Sequence, residues 1–184
     1  MRDFHILGIS GSLRKGSYNS AVLRAAQELA PDGVVITRAD IFAIPVYNDD
    51  VREQGLPASV VSLVQQIASA DAVLIATPEY NYSIPGVLKN AIDWVSKAPD
   101  QPFRHKPVAI MGASMGTIGT ARAQYDLRKV FVFLDAYVLN QPEIMISAAH
   151  TRFDSAGQLT DEMTRKLMCA QIVALKEWGL RLRN

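Results

Sequence analysis

Ser10, Ser12, Arg14, Ser17 and Asn19 all fall in the stretch "GISGSLRKGSYN", residues 8–19. Their hydroxyl and amide groups are neutral donors, and Arg14 adds a charged fork, a set that suits a single phosphate group. A helix following this loop would turn its unpaired N–H groups toward the same point. Two nucleotide signatures are excluded by residue type. The G-x-G-x-x-G fingerprint fails because Ser10 stands two residues after Gly8. The G-x-x-x-x-G-K-[ST] loop has Gly11 and Gly16 in place, but Ser17 occupies the position of the lysine that must reach terminal phosphates. A triphosphate site with Mg²⁺ is therefore not expected. On this stretch alone a second reading stands beside the first, in which Ser17 and Asn19 cap the helix and Arg14 lies on the surface.

The stretch "PEYNYSIPG", residues 78–86, follows a buried apolar run. Its prolines stiffen it and leave peptide N–H groups beyond the reach of the sheet. Such a loop, with Pro78, Glu79, Tyr80 and Asn81, suits a flat heteroaromatic ring bound along one edge by backbone hydrogen bonds. The plainer alternative is a turn with Tyr80 and Tyr82 packed on the rim. A phosphate cradle and a ring platform together describe a pocket for flavin mononucleotide (FMN). The segment from Ala113 to Thr117, with Ser114 and Gly116, would border the other end of the ring. No acid or base is expected from the protein, since His5 lies in the first strand and His105 and His150 are remote in sequence. No metal site is expected. Cys169, beside Leu167, Met168 and Ala170, reads as core packing.

These loops need a frame, and the hydrophobic pattern supplies one. Apolar runs at Phe4–Ile9, Val34–Arg38, Ala72–Thr77, Pro107–Met111 and about Ala136–Leu139 read as strands, the last perhaps resuming past Pro142. Helix-period stretches fall at Ser20–Ala30, Ala58–Ser69, Val87–Lys97 and Ala121–Asp135, and Thr160 is placed to cap a final helix. Strands that read as continuous apolar runs, alternating with helices, argue for an α/β domain with a five-stranded parallel sheet covered on both faces. The doubly wound order 2-1-3-4-5 fits best, and ligands then sit at the carboxyl ends of strands one and three. The three Gly-, Ser- and Asn-rich loops leave the sheet at that edge.

With 184 residues, 49% of them hydrophobic, the chain matches one domain with a full core. The formal net charge of +1, with no basic face or run, argues against nucleic-acid binding. No apolar run nears the roughly 20 residues that span a bilayer. A lone cysteine and a strand at the very start point to a cytoplasmic protein without a signal peptide.

The segments "GSLRKGSYN", "PEYNYSIPGVLKNAIDW" and "RAQYDLRKVFVFLDA" resemble the NAD(P)H-dependent FMN reductases of flavodoxin-like fold, the group that includes bacterial quinone and chromate reductases. The similarity runs from Ile6 to about Glu143. The resemblance implies that Ser12, Ser17 and Asn19, with Arg14, hold the FMN phosphate. It implies that Pro78, Glu79, Tyr80 and Asn81 line the isoalloxazine ring and that Ser114 approaches it. NADPH or NADH would deliver hydride to flavin N5, and a quinone, or chromate or an azo compound, would take two electrons. One departure is Gly119-Thr120, where the family commonly has two glycines; the Cβ of Thr120 disfavours a positive φ. A homodimer or homotetramer is expected, through the apolar "FVFL" at residues 131–134 with Tyr82 and Tyr125, and through polar contacts of Arg122, Tyr125 and Glu143. The alternatives are a flavodoxin-type FMN electron carrier and an interaction scaffold. Carriers tend to be acidic, and this chain is near neutral.

Overall fold

The computed structural model describes residues 2–183. Strands β1 (Phe4–Ser10), β2 (Val34–Ala39), β3 (Ala72–Ala76) and β4 (Pro107–Ala113) form a parallel sheet, with β5 (Tyr137–Val138) and β6 (Ile144–Ile146) both pairing with β4. The order is 2-1-3-4-5, as the alternation predicts. Every residue of β3 and β4 is buried, which is why they read as uninterrupted apolar runs. The edge strand β2 exposes Val35 and Thr37 on one face.

Helices α1 (Tyr18–Glu28) and α6 (Glu162–Arg181) cover one face, where Val22, Leu23, Met168, Ile172 and Leu175 meet β1, β3 and β4. Helices α3 (Ala58–Ser69), α4 (Gly86–Val95) and α5 (Ala121–Phe133) cover the other through Leu63, Ile67, Ile92, Leu127 and Phe131. A short α2 (Asp49–Glu53) buries no residue.

The structure departs from the expectations in several places. Helix α1 begins at Tyr18, because Ser17 caps it. The fifth sheet position is filled by two short strands, which flank the Gln141–Pro142 bond. Asp161, not Thr160, caps α6: its carboxylate accepts from the Thr164 N–H at 2.9 Å and hydroxyl at 2.6 Å. Thr160 instead donates from both N–H and hydroxyl to the Arg152 carbonyl. Cys169 is half-buried, and neighbouring Met168 takes the core position. Phe131 is fully buried, whereas Val132 and Phe133 are 80% and 88% exposed.

Candidate functional site

The three loops meet at the carboxyl edge of the sheet. Gly11 N–H donates to the Ala76 carbonyl at 2.8 Å, and Thr77 N–H to the Met111 carbonyl at 2.9 Å. A Cβ on Gly11 would lie 3.2 Å from Cδ of Pro78, so the first and second loops are in contact.

The first loop shapes itself with its own side chains. Ser10 Oγ accepts from Ser12 N–H at 3.3 Å, Ser12 Oγ from Arg14 N–H at 3.4 Å, and Ser17 Oγ from Asn19 N–H at 3.2 Å. The main-chain N–H groups of Leu13, Lys15, Gly16 and Tyr18 have no acceptor among the described residues. With the Arg14 guanidinium, 5.9 Å from the Tyr18 ring, they are the donors left for an anion at the start of α1. Asn19 is 2% exposed: its Nδ2 donates to the Ala113 carbonyl and its Oδ1 accepts from the Ala113 N–H, both at 2.9 Å. The side chain thereby ties the first turn of α1 to the end of β4.

The second loop is a tight reverse turn. Tyr80 and Ser83 exchange main-chain bonds of 3.2 and 3.0 Å, and Asn81 and Tyr82 between them have φ of +50° and +67°. Two left-handed residues with side chains, of the order of 1–3 kcal/mol each in strain, persist only where the surroundings hold them. Here α5 does so. Glu79 Oε2 accepts from the Ala123 N–H at 3.1 Å in the first turn of α5, and Oε1 pairs with Arg122 at 3.2 Å. The Arg122 guanidinium carbon sits 3.6 Å from the Tyr82 ring centroid. Ser83 Oγ donates to Asp126 at 2.9 Å. Lys129 and then Ser83 hold the Asp126 carboxyl below its ordinary pKa. Glu79 is thus an anchor for the loop, its carboxylate turned to α5, and Pro78 is buried beside Gly11. The N–H groups of Glu79, Asn81 and Tyr82 have no acceptor among the described residues, and Tyr80 is half-exposed. This is the open edge that a planar ring with carbonyl acceptors would meet.

The third loop is closed by Ser114, whose hydroxyl donates to the Gly119 carbonyl at 2.6 Å and accepts from the Gly116 N–H at 3.2 Å. Ser114 is a brace within the loop, while Met115, Gly116 and Thr117 are exposed at its tip. Gly119 alone takes the left-handed conformation, φ +63°, with Thr120 at −123°. Thr120 is buried, and Gln124 donates to its hydroxyl at 3.0 Å. A Cβ on Gly112 would lie 2.1 Å from Thr120 Oγ1, so the threonine is accommodated by a glycine elsewhere.

Sequence reasoning placed Arg122 in subunit contacts, whereas within this chain it is the clamp of the second loop. It missed the role of Asp126 altogether. The Glu79–Arg122 contact spans 43 residues and follows no periodicity that a sequence shows. The unpaired N–H groups at the start of α1 and along the second loop fit a phosphate and a flat ring. No group of three metal-ligating side chains occurs, and no helix is long and apolar enough to cross a membrane, among the described residues.

Residues 4–151 match the sequence model of the NADPH-dependent FMN reductases. The chain is 58% identical over 182 residues to an NAD(P)H-dependent FMN reductase of Pseudomonas aeruginosa, an alignment covering 99% of this chain and 98% of that one. It is 46% identical to a quinone reductase of Escherichia coli, over 97% and 96% of the two chains. The solved flavoenzyme NAD(P)H:(acceptor) oxidoreductase FerB of Paracoccus denitrificans superposes with a TM-score of 0.87 at 35% identity, covering 96% of this chain and 97% of that one. With the flavodoxin-like sheet and the three loops as described, the chain belongs to the NADPH-dependent FMN reductase family and is an FMN-dependent oxidoreductase.

Proposed function

We propose that this enzyme takes hydride from NADPH or NADH and delivers two electrons to a quinone, with FMN held across the three loops. When bound, FMN would supply the hydride-transfer chemistry between donor and quinone, and reduction of the quinone to a quinol would take up one proton from water. The observation that carries the reading is the second loop, which is rigidly anchored yet presents the free N–H groups of Glu79, Asn81 and Tyr82 beside exposed Tyr80.

In this reading the N–H groups of Leu13, Lys15, Gly16 and Tyr18, the Ser12 and Ser17 hydroxyls and the Arg14 guanidinium hold the phosphate. The second loop orients the ring, and Asn19, Glu79, Arg122 and Ser114 keep the loops in register before ligand arrives. No side chain is required to move a proton. His5 Nε2 pairs with Thr37 Oγ1 at 2.7 Å, and His105 pairs with Asp135 at 3.0 Å while stacking on Tyr137. Exposed Tyr80, Met115 and Ile118 leave the ring platform open to donor and acceptor in turn, so chromate and azo compounds are further acceptors of the same kind. A cytoplasmic location agrees with the free Cys169.

A homodimer is part of the proposal. Val132 and Phe133 project from α5 beside a groove of about 400 Å³ between α4 and α5, lined by Tyr47, Ile92, Val130 and Leu134. A second copy would cover them; a clean 20 kDa species in light scattering would rule it out.

The test of function is an anaerobic visible spectrum of the FMN-loaded protein before and after adding NADPH or NADH, followed by a quinone. Bleaching of the flavin band by donor and its recovery with quinone are expected. A flavin that stays oxidised with both donors would make the protein an electron carrier instead.

A further inference from the structure

A groove of about 440 Å³, within the range of small-molecule sites, runs beside the opening turns of α4. Leu13, Ile41, Phe42, Ile44, Val46 and Val87 supply its apolar lining. Phe42 and Val46 are 72% and 84% exposed, and large apolar side chains clustered in water mark a surface that binds something. The segment that carries them has no helix or strand, yet it is pinned from both sides. Trp94 Nε1 and Asn90 Nδ2 each donate to the Pro45 carbonyl at 2.8 Å, and the Tyr47 N–H donates to Asn90 Oδ1 at 2.8 Å. Ser59 Oγ donates to the Ala43 carbonyl at 3.1 Å, and the Tyr47 ring packs edge-on against Trp94. The trough is therefore formed before a ligand arrives, which lowers the ordering cost of binding.

Its polar side chains are already engaged within the chain. Lys89 and Asp93 pair with each other at 2.8 Å, and Asn90 spends its amide on Pro45 and Tyr47. No unpaired charge lines the groove among the described residues, so a neutral apolar occupant costs no desolvated ion. One end opens toward the flavin site. Gly86 and Val87 follow the ring loop directly, and a Cβ on Gly86 would meet nothing else within 4 Å, so the passage is clear. Leu13 belongs to the first loop, giving its N–H to the phosphate and its side chain to the groove. Further along α4, Lys89 and Asp93 also line the groove between α4 and α5, so the ion pair is a common wall between the two.

We infer that this trough receives the isoprenoid side chain of a quinone whose ring lies at the flavin, with Phe42 and Val46 setting a preference for prenylated over bare quinones. The inference rests on the reductase reading above and adds a subsite for the acceptor, apart from the contacts that hold FMN. A branched hydrocarbon chain is neutral and apolar, and it leaves the quinone ring from one position, as the trough leaves the ring loop at Gly86. The chain takes no part in electron transfer. It is bound equally well before and during the reaction, so it lowers KM and leaves kcat unchanged.

The experiment follows NADPH-driven reduction of one benzoquinone carrying no, one or two isoprene units, with the FMN-loaded wild type, Phe42→Ser and Val46→Ser. Both side chains are exposed, so the substitutions leave the core intact. In the wild type kcat/KM should rise about tenfold from the bare quinone to the longest chain, through KM alone, the equivalent of burying about two methylene groups. The rise should shrink to about twofold in each serine variant and survive in Phe42→Leu and Val46→Leu, which keep the apolar surface. No dependence on chain length in the wild type, or the same dependence in both serine variants, would overturn the inference. A lower mass of the serine variants in light scattering would also overturn it, assigning the groove to a second copy, and weaker FMN binding would assign it to the flavin. If NADPH bleaches the flavin and the bare quinone restores it in those cases, the reductase reading stands alone. If no quinone of the series reoxidises the reduced flavin, that reading has failed and the subsite with it.

Discussion

The phosphate loop and the ring loop are held in opposite ways. In the first, the bracing bonds join residues two apart, serine hydroxyls to the N–H groups just beyond them. In the second, two left-handed residues are kept in place from outside, by Glu79, Arg122 and Asp126 across 43 residues of sequence. A loop that must wrap a small tetrahedral anion can be written locally. A loop that must present a straight edge to a ring needs an external support, and α5 provides it.

Removing the bonds that tie the start of α1 to the end of β4 should have the largest effect. Asn19→Ala leaves both the N–H and the carbonyl of Ala113 buried without partners, at about 1–3 kcal/mol each. Urea unfolding should register a loss of about 2–6 kcal/mol; a loss under about 1 would mean that water replaces the amide freely. Arg122→Ala tests the external support. FMN affinity, followed by flavin fluorescence, should fall about tenfold with little change in unfolding midpoint, and Arg122→Lys should recover only part, since a lysine lacks the planar contact with Tyr82. Equal affinity in Arg122→Ala would show that the loop holds itself. Ser17→Ala tests the local design, removing a helix cap of about 1 kcal/mol and one phosphate donor together. It should weaken FMN binding without disturbing the second loop, and a circular dichroism signal from the tyrosines that shifts would contradict this separation.

The smallest effect is expected outside both loops. Asp161→Ala removes the cap of α6, at about 1 kcal/mol, or roughly 2–4 °C in Tm for a chain of this size. Thr164, through its hydroxyl and then its N–H, and Arg152 hold the Asp161 carboxyl below its ordinary pKa. Its contribution is then complete above the unfolded value near 4 and fades as pH falls through the lower folded one. The difference between wild type and variant should therefore be constant from pH 5 to 7 and shrink below about pH 4.

The same contrast explains what the sequence shows and what it conceals. Strands β3 and β4 are legible because burial on both faces demands continuous apolar runs. Helix α2 is not, because it buries nothing and so carries no periodic signal. The cap of α6 is misplaced by one residue, since both Thr160 and Asp161 satisfy the pattern and only the fold sends Thr160 to Arg152. At the site, residue types identify the ligand class while roles depend on distant partners. Asn19 is tied to β4 by a contact 94 residues away, and the Glu79 carboxylate is tied to α5, and neither tie shows in the sequence.

The Asn19 amide also makes a single proton informative. The Ala113 N–H points at Asn19 Oδ1 across the gap between α1 and β4, so it exchanges with solvent only when that junction opens. Its deuterium uptake, compared with and without flavin, would measure how much ligand energy is spent closing the molecule's central seam.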